Sequence, residues 1–282
     1  MVVIRKSLTL HEYLNQQQSA GLSIGFVPTM GALHEGHLQL ILKAVQQADI
    51  TVSSIFVNPA QFNDPADYEK YPSTRSKDIL QLETHGTDIL FIPDVEEIYP
   101  DGWNELESYD LNGLETHYEG AYRKGHFQGV CQVLNRLFRL VNPDMIFMGQ
   151  KDYQQCKVVE RLLDLMPLEA ELIAVSTVRA SDGLALSSRN FRLNAEQRAI
   201  APGLYKALIG IKNKLRPGNE TTVLEEAIRE LEQTGFRVDY IQLAHAETLV
   251  PVSSWDGETP LVLLAAAWLN DIRLIDNLLL PG

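Results

Sequence analysis

The chain has 282 residues, of which 45% are hydrophobic and 22% are charged, and its net charge at pH 7 is -13. This acidic balance argues against a nucleic-acid or membrane-surface binder, because phosphate backbones require an extended basic face. No apolar run reaches the roughly 18 residues of a membrane span, no signal-peptide pattern opens the chain, and only two cysteines occur, Cys131 and Cys156. We therefore expect a cytoplasmic protein with no nucleic-acid or membrane partner.

The first part of the chain alternates short apolar runs with segments of helical periodicity. We predict strands at five of these runs: 23–29, 50–57, 88–92, 144–148 and 171–177. Apolar helical stripes lie between them, one from Leu38 to Ala48 and another from Val130 to Val141. Continuous apolar strands separated by helices indicate a parallel sheet that is covered on both faces. Residues 1–177 are therefore predicted to form a doubly wound α/β domain.

The sequence pattern changes after residue 177, and residues 178–282 are predicted to form a second, smaller α+β domain. The polar segment VRASDGLALSSRNFRLN leads into two helical patterns, at 195–215 and 221–233, which RPGNE separates. The strand-like segments VDYIQLA and LVLLAAAWL follow, and then RLIDNLLL.

The segment GALHEGHL, residues 31–38, places two histidines between a predicted strand and a predicted helix. Their spacing, the intervening Gly36 and the lack of an obvious third ligand argue against zinc, which prefers H-E-x-x-H on one helix face. A helix that begins near Gly36 or His37 offers backbone N–H groups to an anion, and both imidazoles can donate hydrogen bonds to phosphate. The alternative is that His34 only caps the helix and that His37 is a solvated first-turn residue.

Two further segments carry groups that suit a polyphosphate. In MGQKDYQQ, Gly149 permits close approach, Lys151 supplies a cation, and Asp152 suits a ribose hydroxyl or the helix N-terminus. In RASDGLALSSRN, two adjacent serines precede Arg189, whose guanidinium binds two phosphate oxygens at once. The alternatives are an ordinary helix start and a polar interdomain linker.

Neutral amides lie close to these groups along the chain. The segment NPAQF, which opens a polar stretch at 58–71, offers Asn58 and Gln61, and such amides suit a hydroxylated organic acid better than a phosphate. GHFQGV is either a structural turn before a helix or a means of carrying His126 into the site. The combination favours an enzyme that acts on a nucleoside triphosphate, in which a substrate carboxylate attacks the α-phosphate without a serine or cysteine nucleophile.

Seven motifs, in this order, resemble the pantoate–β-alanine ligase family: FVPTMGALHEGHL, SIFVNP-x-QF, YP-x-T, GHF-x-GV, G-x-KDYQQ, DGLALSSRN and RLIDN. The resemblance covers essentially the whole chain. It implies a Rossmann-like nucleotide-binding domain, a smaller C-terminal lid domain and a homodimer. The implied reaction joins pantoate and β-alanine at the expense of ATP, through pantoyl adenylate, and releases AMP and pyrophosphate.

The resemblance also implies roles for individual residues. Four are expected to act in catalysis by contacting the phosphates of ATP: His34, His37, Lys151 and Arg189. Further ATP contacts are expected from Met30, Gly149, Asp152, Val178, Ser187 and Ser188. The residues expected to contact pantoate are Gln61, Gln155, Met30 and Asn58. Mg²⁺ is expected to bridge the phosphates, with Asp78 as its candidate protein ligand.

Three positions depart from the commonest form of the family motifs, and none has an assigned role. Ala60 stands where methionine is usual, Gln150 where glutamate is frequent, and Lys124 where proline is frequent. One alternative function is a nucleotidyltransferase of the same superfamily that stops at a nucleotidylated product of another small acid or phosphate. Another is a non-catalytic ATP-binding protein.

Overall fold

The computed structural model describes residues 1–62, 68, 74–102 and 106–280, and within them the chain divides into two compact units. The first unit comprises Met1–Gln150 and Gln155–Ser176, and the second comprises Lys151–Gln154 and Thr177–Gly282. The predicted boundary after residue 177 lies one residue beyond the end of the first unit at Ser176. The inclusion of Lys151–Gln154 in the second unit was not predicted. Within the second unit, the Tyr153 hydroxyl donates to the Ala246 carbonyl at 2.9 Å.

The first unit is built on a six-stranded parallel sheet with the order β1-β4-β3-β2-β5-β6, which confirms the predicted α/β class. Its strands are β1 Val2–Ile4, β2 Ile24–Thr29, β3 Ile50–Ile55, β4 Ile89–Phe91, β5 Met145–Gly149 and β6 Glu171–Val175. The edge strand β1 was not predicted, because three residues are too few to show a period.

Helices cover both faces of this sheet. They are α1 Ser7–Ser19, α2 Glu35–Gln47, α3 Arg75–Thr84, α4 Val95–Ile98, α5 Tyr118–Tyr122, α6 His126–Val141 and α7 Tyr153–Leu165. Successive strand side chains point to opposite faces. Phe26 therefore packs in one core cluster with residues of α1 and α6, whereas Val27 packs in another with residues of α2 and α3.

The carboxyl ends of β3, β2 and β5 lie side by side at one edge of the sheet. The chain moves from β2 to β3 and β4 on one side and then returns to β5 on the other. Ligands of open parallel sheets bind at such a reversal, beyond the carboxyl ends of the strands. The polar segments that begin at Met30, Asn58 and Gln150 all follow these three ends. Residues 63–67 and 69–73, which include most of the YP-x-T motif, lie outside the described residues.

The second unit contains a three-stranded antiparallel sheet with the order β7-β8-β9, consistent with the predicted α+β class. Its elements are α8 Ala195–Ile200, α9 Gly203–Lys214, α10 Glu220–Gln233, β7 Arg237–His245, β8 Leu261–Leu269 and β9 Ile272–Leu280. The prediction of a single helix at 195–215 is wrong. The first helix ends at Ile200, two residues before Pro202, which has no backbone N–H, and a second helix begins at Gly203. No helix within the described ranges has the length and apolar character that crossing a membrane requires.

Gly129 allows α6 to touch the loop that follows β3. A Cβ at this position would lie 2.2 Å from the carbonyl oxygen of Ala60 and 2.7 Å from the Cα of Gln61. Both neighbours are backbone atoms, so they cannot rotate away as a side chain would. The second glycine of GHF-x-GV is therefore required by close packing beneath the loop.

We expect Gly129→Ala to destabilise the protein by about 1–3 kcal/mol, because the added methyl group must displace the loop. The shift of the denaturant midpoint measures this effect. Gly210→Ala is the matched control, since no atom lies within 4 Å of a Cβ there. Alanine in that helix should raise stability by up to about 1 kcal/mol. Equal stability of Gly129→Ala and the wild type would contradict the packing argument.

Candidate active site

A tight turn joins β2 to α2. The hydroxyl of Thr29 donates to the Ser54 carbonyl at 2.7 Å and accepts from the N–H of Gly31 at 3.2 Å. Gly31 and Ala32 then adopt positive φ angles of 80° and 50°. Left-handed backbone is unusual for alanine, so the surrounding structure must hold this turn in place.

The carboxylate of Asp78 holds the turn. One oxygen accepts from the N–H of Ala32 at 3.0 Å and the other from the N–H of Leu33 at 2.9 Å, and the Thr74 hydroxyl lies 3.0 Å from both. Asp78 is 1% exposed. A carboxylate offers about four acceptor sites, and three donors occupy most of them in this buried position, which argues against a role as a magnesium ligand. Within the described part of the chain, no group of three or more His, Cys, Asp or Glu residues could hold a metal ion.

The two histidines cap α2 reciprocally. Nδ1 of His34 accepts from the N–H of Gly36 at 3.1 Å, and Nδ1 of His37 accepts from the N–H of His34 at 3.3 Å. The ring centroids lie 4.0 Å apart. Because each Nδ1 is an acceptor, the neutral rings carry their proton on Nε2.

This capping differs from the predicted arrangement in one respect. The N–H groups of Gly36 and His37 donate within the loop, the second to the His34 carbonyl at 2.8 Å, so they are not the anion donors that we predicted. The capping alternative for His34 is correct as far as it goes. Nε2–H is the donor group of each neutral imidazole, and both rings lie at the positive end of the helix dipole, a place that suits an anion.

The loop after β3 brings three predicted pantoate residues together. Oδ1 of the buried Asn58 accepts from the Tyr99 hydroxyl at 2.8 Å and from the N–H of Ala60 at 3.3 Å. Its Nδ2 donates to Oε1 of Gln61 at 3.2 Å and to the Gly129 carbonyl at 3.0 Å. All four hydrogen-bonding positions of this amide are thus occupied. Nε2 of Gln61 in turn lies 3.0 Å from Sδ of Met30.

His126 supports this loop through its backbone. Nδ1 lies 3.0 Å from the carbonyl of Gln61 and, since a carbonyl only accepts, this nitrogen carries the proton. Nε2 then accepts from the Arg123 guanidinium at 2.9 Å. Sequence reasoning left the role of His126 open and missed Arg123 and Tyr99. The glycines of GHF-x-GV were the only local signal, and nothing in the sequence marks Tyr99.

Two predicted residues lie near the carboxyl end of β5. Gly149 ends the strand, and no atom lies within 4 Å of the position that a Cβ would occupy. Gln155 lies half-buried in the first turn of α7. The space beside Gly149 suits the close approach of a ligand, and the roles of both residues remain predictions.

In the second unit, Lys151 and Asp152 belong to a short 3-10 helix at Gln150–Asp152. Nζ of Lys151 lies 3.7 Å from Oδ1 of Asp152, and the lysine side chain is mostly buried whereas the aspartate is half-exposed. Nothing in the structure explains glutamine at position 150. Ala60, the other departure near the predicted site, packs against the core of the first unit.

The segment from Val178 to Arg189 forms a narrow turn followed by a 3-10 helix. The N–H of Leu186 donates to the Val178 carbonyl at 3.0 Å, and the turn at Asp182-Gly183 closes this pairing. Oγ of Ser187 accepts from the N–H of Arg189 at 3.2 Å and begins the 3-10 helix Ser188–Arg192. The structure therefore brings Val178 close to the predicted phosphate ligands at 187–189.

Comparisons with known proteins agree with these features. A sequence model of the family described as pantoate-beta-alanine ligase matches residues 2–279. The chain is 40% identical to the pantothenate synthetase of Thermus thermophilus, with 99% of each chain covered and a TM-score of 0.85. It is 34% identical to a pantoate-beta-alanine ligase of Francisella tularensis, complexed with beta-gamma ATP and beta-alanine, with 99% of this chain and 97% of that chain covered and a TM-score of 0.83. From the site's geometry and these matches over nearly its full length, the chain belongs to the pantoate–β-alanine ligase family.

Proposed function

We propose that this protein joins pantoate and β-alanine at the expense of ATP, through pantoyl adenylate, and releases AMP and pyrophosphate. The observation that carries the proposal is a pair of loops at adjacent strand ends with complementary chemistry. The loop after β2 presents the imidazoles of His34 and His37, and the loop after β3 presents the amide of Gln61 beside Met30. Family membership and the ATP and β-alanine in the Francisella relative support the substrates.

In the first step, a pantoate carboxylate oxygen attacks the α-phosphorus and the bond to pyrophosphate breaks. Negative charge develops on the phosphate oxygens, and the Nε2–H groups of His34 and His37 donate to them. Lys151 and Arg189 supply positive charge, and the hydroxyls of Ser187 and Ser188 donate further hydrogen bonds. Preorganised donors of this kind stabilise the transition state more than the ground state.

Pantoate is held by neutral groups. Oε1 of Gln61 accepts from Asn58, so the amide presents its Nε2–H end beside Met30. We assign this N–H group and the amide of Gln155 to pantoate. Because the amide of Asn58 is saturated, we assign Asn58 the role of orienting Gln61. Neutral amides do not pair the carboxylate of pantoate with a positive charge, so the carboxylate keeps its nucleophilic character.

The remaining assignments concern the nucleoside and the second step. Gly149 and Asp152 hold the ribose, and Val178 lies beside adenine. The amine of β-alanine then attacks the carbonyl carbon of pantoyl adenylate, the bond to the AMP oxygen breaks, and the amine loses a proton as the amide forms.

Mg²⁺ would bind chiefly to the phosphates of ATP, where it would offset part of their negative charge. Mg²⁺ is usually held by phosphate oxygens and water with one or two carboxylates, and not by a dedicated protein cage. Because the buried Asp78 accepts from the N–H groups of Ala32 and Leu33, we assign it to holding the turn after β2 and not to the metal ion. We further propose that the protein is cytoplasmic and acts as a homodimer, as the family resemblance implies. Light scattering of the purified chain measures its oligomeric state.

The proposed reaction is tested by product analysis with ATP, Mg²⁺, pantoate and β-alanine. AMP and pantothenate should accumulate only when both acids are present. Positional isotope exchange in ATP should require pantoate but not β-alanine, because adenylation precedes amide formation. A nucleotidylated end product, or AMP formation that ignores β-alanine, would contradict the proposal.

Loss of a phosphate donor should slow adenylation without unfolding the chain. His34→Asn retains a good helix cap but lacks the Nε2–H group, so we expect a loss of about 10²- to 10³-fold in kcat. We expect His34→Ala and Lys151→Ala to lower kcat by at least as much. Pyrophosphate release, measured in samples quenched at successive times, gives the rate of adenylation. Lys157→Ala is the control. Nζ of Lys157 lies 2.9 Å from a carboxylate oxygen of Glu160, also on α7, and this substitution should leave the rate unchanged. Normal turnover by His34→Asn and Lys151→Ala would overturn the assignment.

A further inference from the structure

Asp276 and Asn277 of the RLIDN motif are buried neighbours on β9. They are 5% and 3% exposed, although both are polar and lie on a strand at the edge of the three-stranded sheet. Buried polar groups cost free energy unless they are hydrogen-bonded. Successive side chains of a strand point to opposite faces, so the two residues can hold two different segments of the second unit.

Asp276 holds the turn that precedes the SSRN segment. Its carboxylate accepts two hydrogen bonds from Arg179, at 2.6 and 2.9 Å. The same guanidinium donates to the Gly183 carbonyl at 3.2 Å and stacks on the Tyr205 ring at 3.6 Å from the centroid. A planar, bidentate pair of this kind fixes orientation as well as position. Arg179 thereby ties both ends of the turn to β9.

Asn277 holds the segment that contains the predicted phosphate-binding lysine. Its Nδ2 donates to the backbone carbonyl of Lys151 at 2.8 Å. Two residues after Lys151, the hydroxyl of Tyr153 donates to the backbone carbonyl of Ala246. These two hydrogen bonds hold the backbone that carries the lysine side chain, whose Nζ lies 3.7 Å from Oδ1 of Asp152.

We infer that Asp276 and Asn277 are positioning residues for the triphosphate of ATP, acting through Arg179 and through the backbone of Lys151. Neither residue contacts the substrate. Asp276 sets the place of Val178 and of the 187–189 segment, and Asn277 sets the place of Lys151. The inference rests on the proposed function, because it assumes that these segments bind ATP.

Kinetics of single variants test the inference. Asn277→Ala removes one neutral donor, and Asp276→Asn keeps the shape of the side chain but removes its charge. Both should lower kcat/KM for ATP by about 10- to 100-fold, since small displacements of positioned groups have effects of this size. The reaction of preformed pantoyl adenylate with β-alanine does not use the β- and γ-phosphates, so its rate should fall much less than the rate of adenylation.

Asp239→Asn is the matched control. The largely buried side chain of Asp239 accepts from Arg273 of β9 at 2.7 Å and from Trp268 of β8 at 2.9 Å. These contacts tie strands of the small sheet to one another and not to Lys151 or to the turn at 178–186. Asp239→Asn should lower thermal stability while the kinetic constants for ATP stay at their wild-type values. If Asn277→Ala is unfolded at the assay temperature, Asn277→Asp, which keeps the side-chain shape, replaces it.

Two results would overturn the inference. One is wild-type kcat/KM for ATP in folded variants at both positions. The other is an equal fall in both half-reactions, which indicates a general structural effect. If the wild type makes no pantothenate, the proposed function fails instead, and calorimetric titration of the same variants with ATP then decides the inference separately.

Discussion

The hydrogen bonds from the backbone of Ala32 and Leu33 to the buried carboxylate of Asp78 are the constraint on which the first half of the site depends. They hold a turn whose positive φ angles would otherwise be unfavourable. The turn places His34 at the N-cap of α2, and the cap sets the tautomer of both imidazoles. One buried acceptor thus determines where two N–H donors lie and which nitrogen carries the proton.

The same arrangement recurs at the other predicted ligands. Asn58 uses all its hydrogen-bonding capacity to fix the loop that carries Gln61, and Asn277 fixes the backbone of Lys151. In each case a buried side chain holds a segment that carries a predicted ligand residue. Preorganisation of this kind reduces the conformational entropy that binding would otherwise cost.

Much of the fold followed from the sequence, because the period of the apolar residues is local information. The positions of five strands of the parallel sheet, and of the histidines between β2 and α2, were accessible in this way. The roles of Asp78 and Tyr99 were not, since each depends on a partner more than 40 residues away in the chain. The family resemblance suggested Asp78 as a candidate magnesium ligand, and no local pattern indicates the hydrogen bonds of its carboxylate. Only the tertiary structure shows that two backbone N–H groups already occupy it.

The most direct test of this account is the Asp78→Asn variant, in which an amide replaces the carboxylate that two backbone N–H groups require. We predict that kcat/KM for ATP falls by about 10- to 100-fold while the Mg²⁺ concentration for half-maximal activity stays unchanged. Asp49→Asn is the control, because Asp49 accepts from the N–H of Ser23 at 2.9 Å at the opposite end of β2 and should retain full activity. Wild-type activity in Asp78→Asn, or a raised Mg²⁺ requirement as its main defect, would contradict the account.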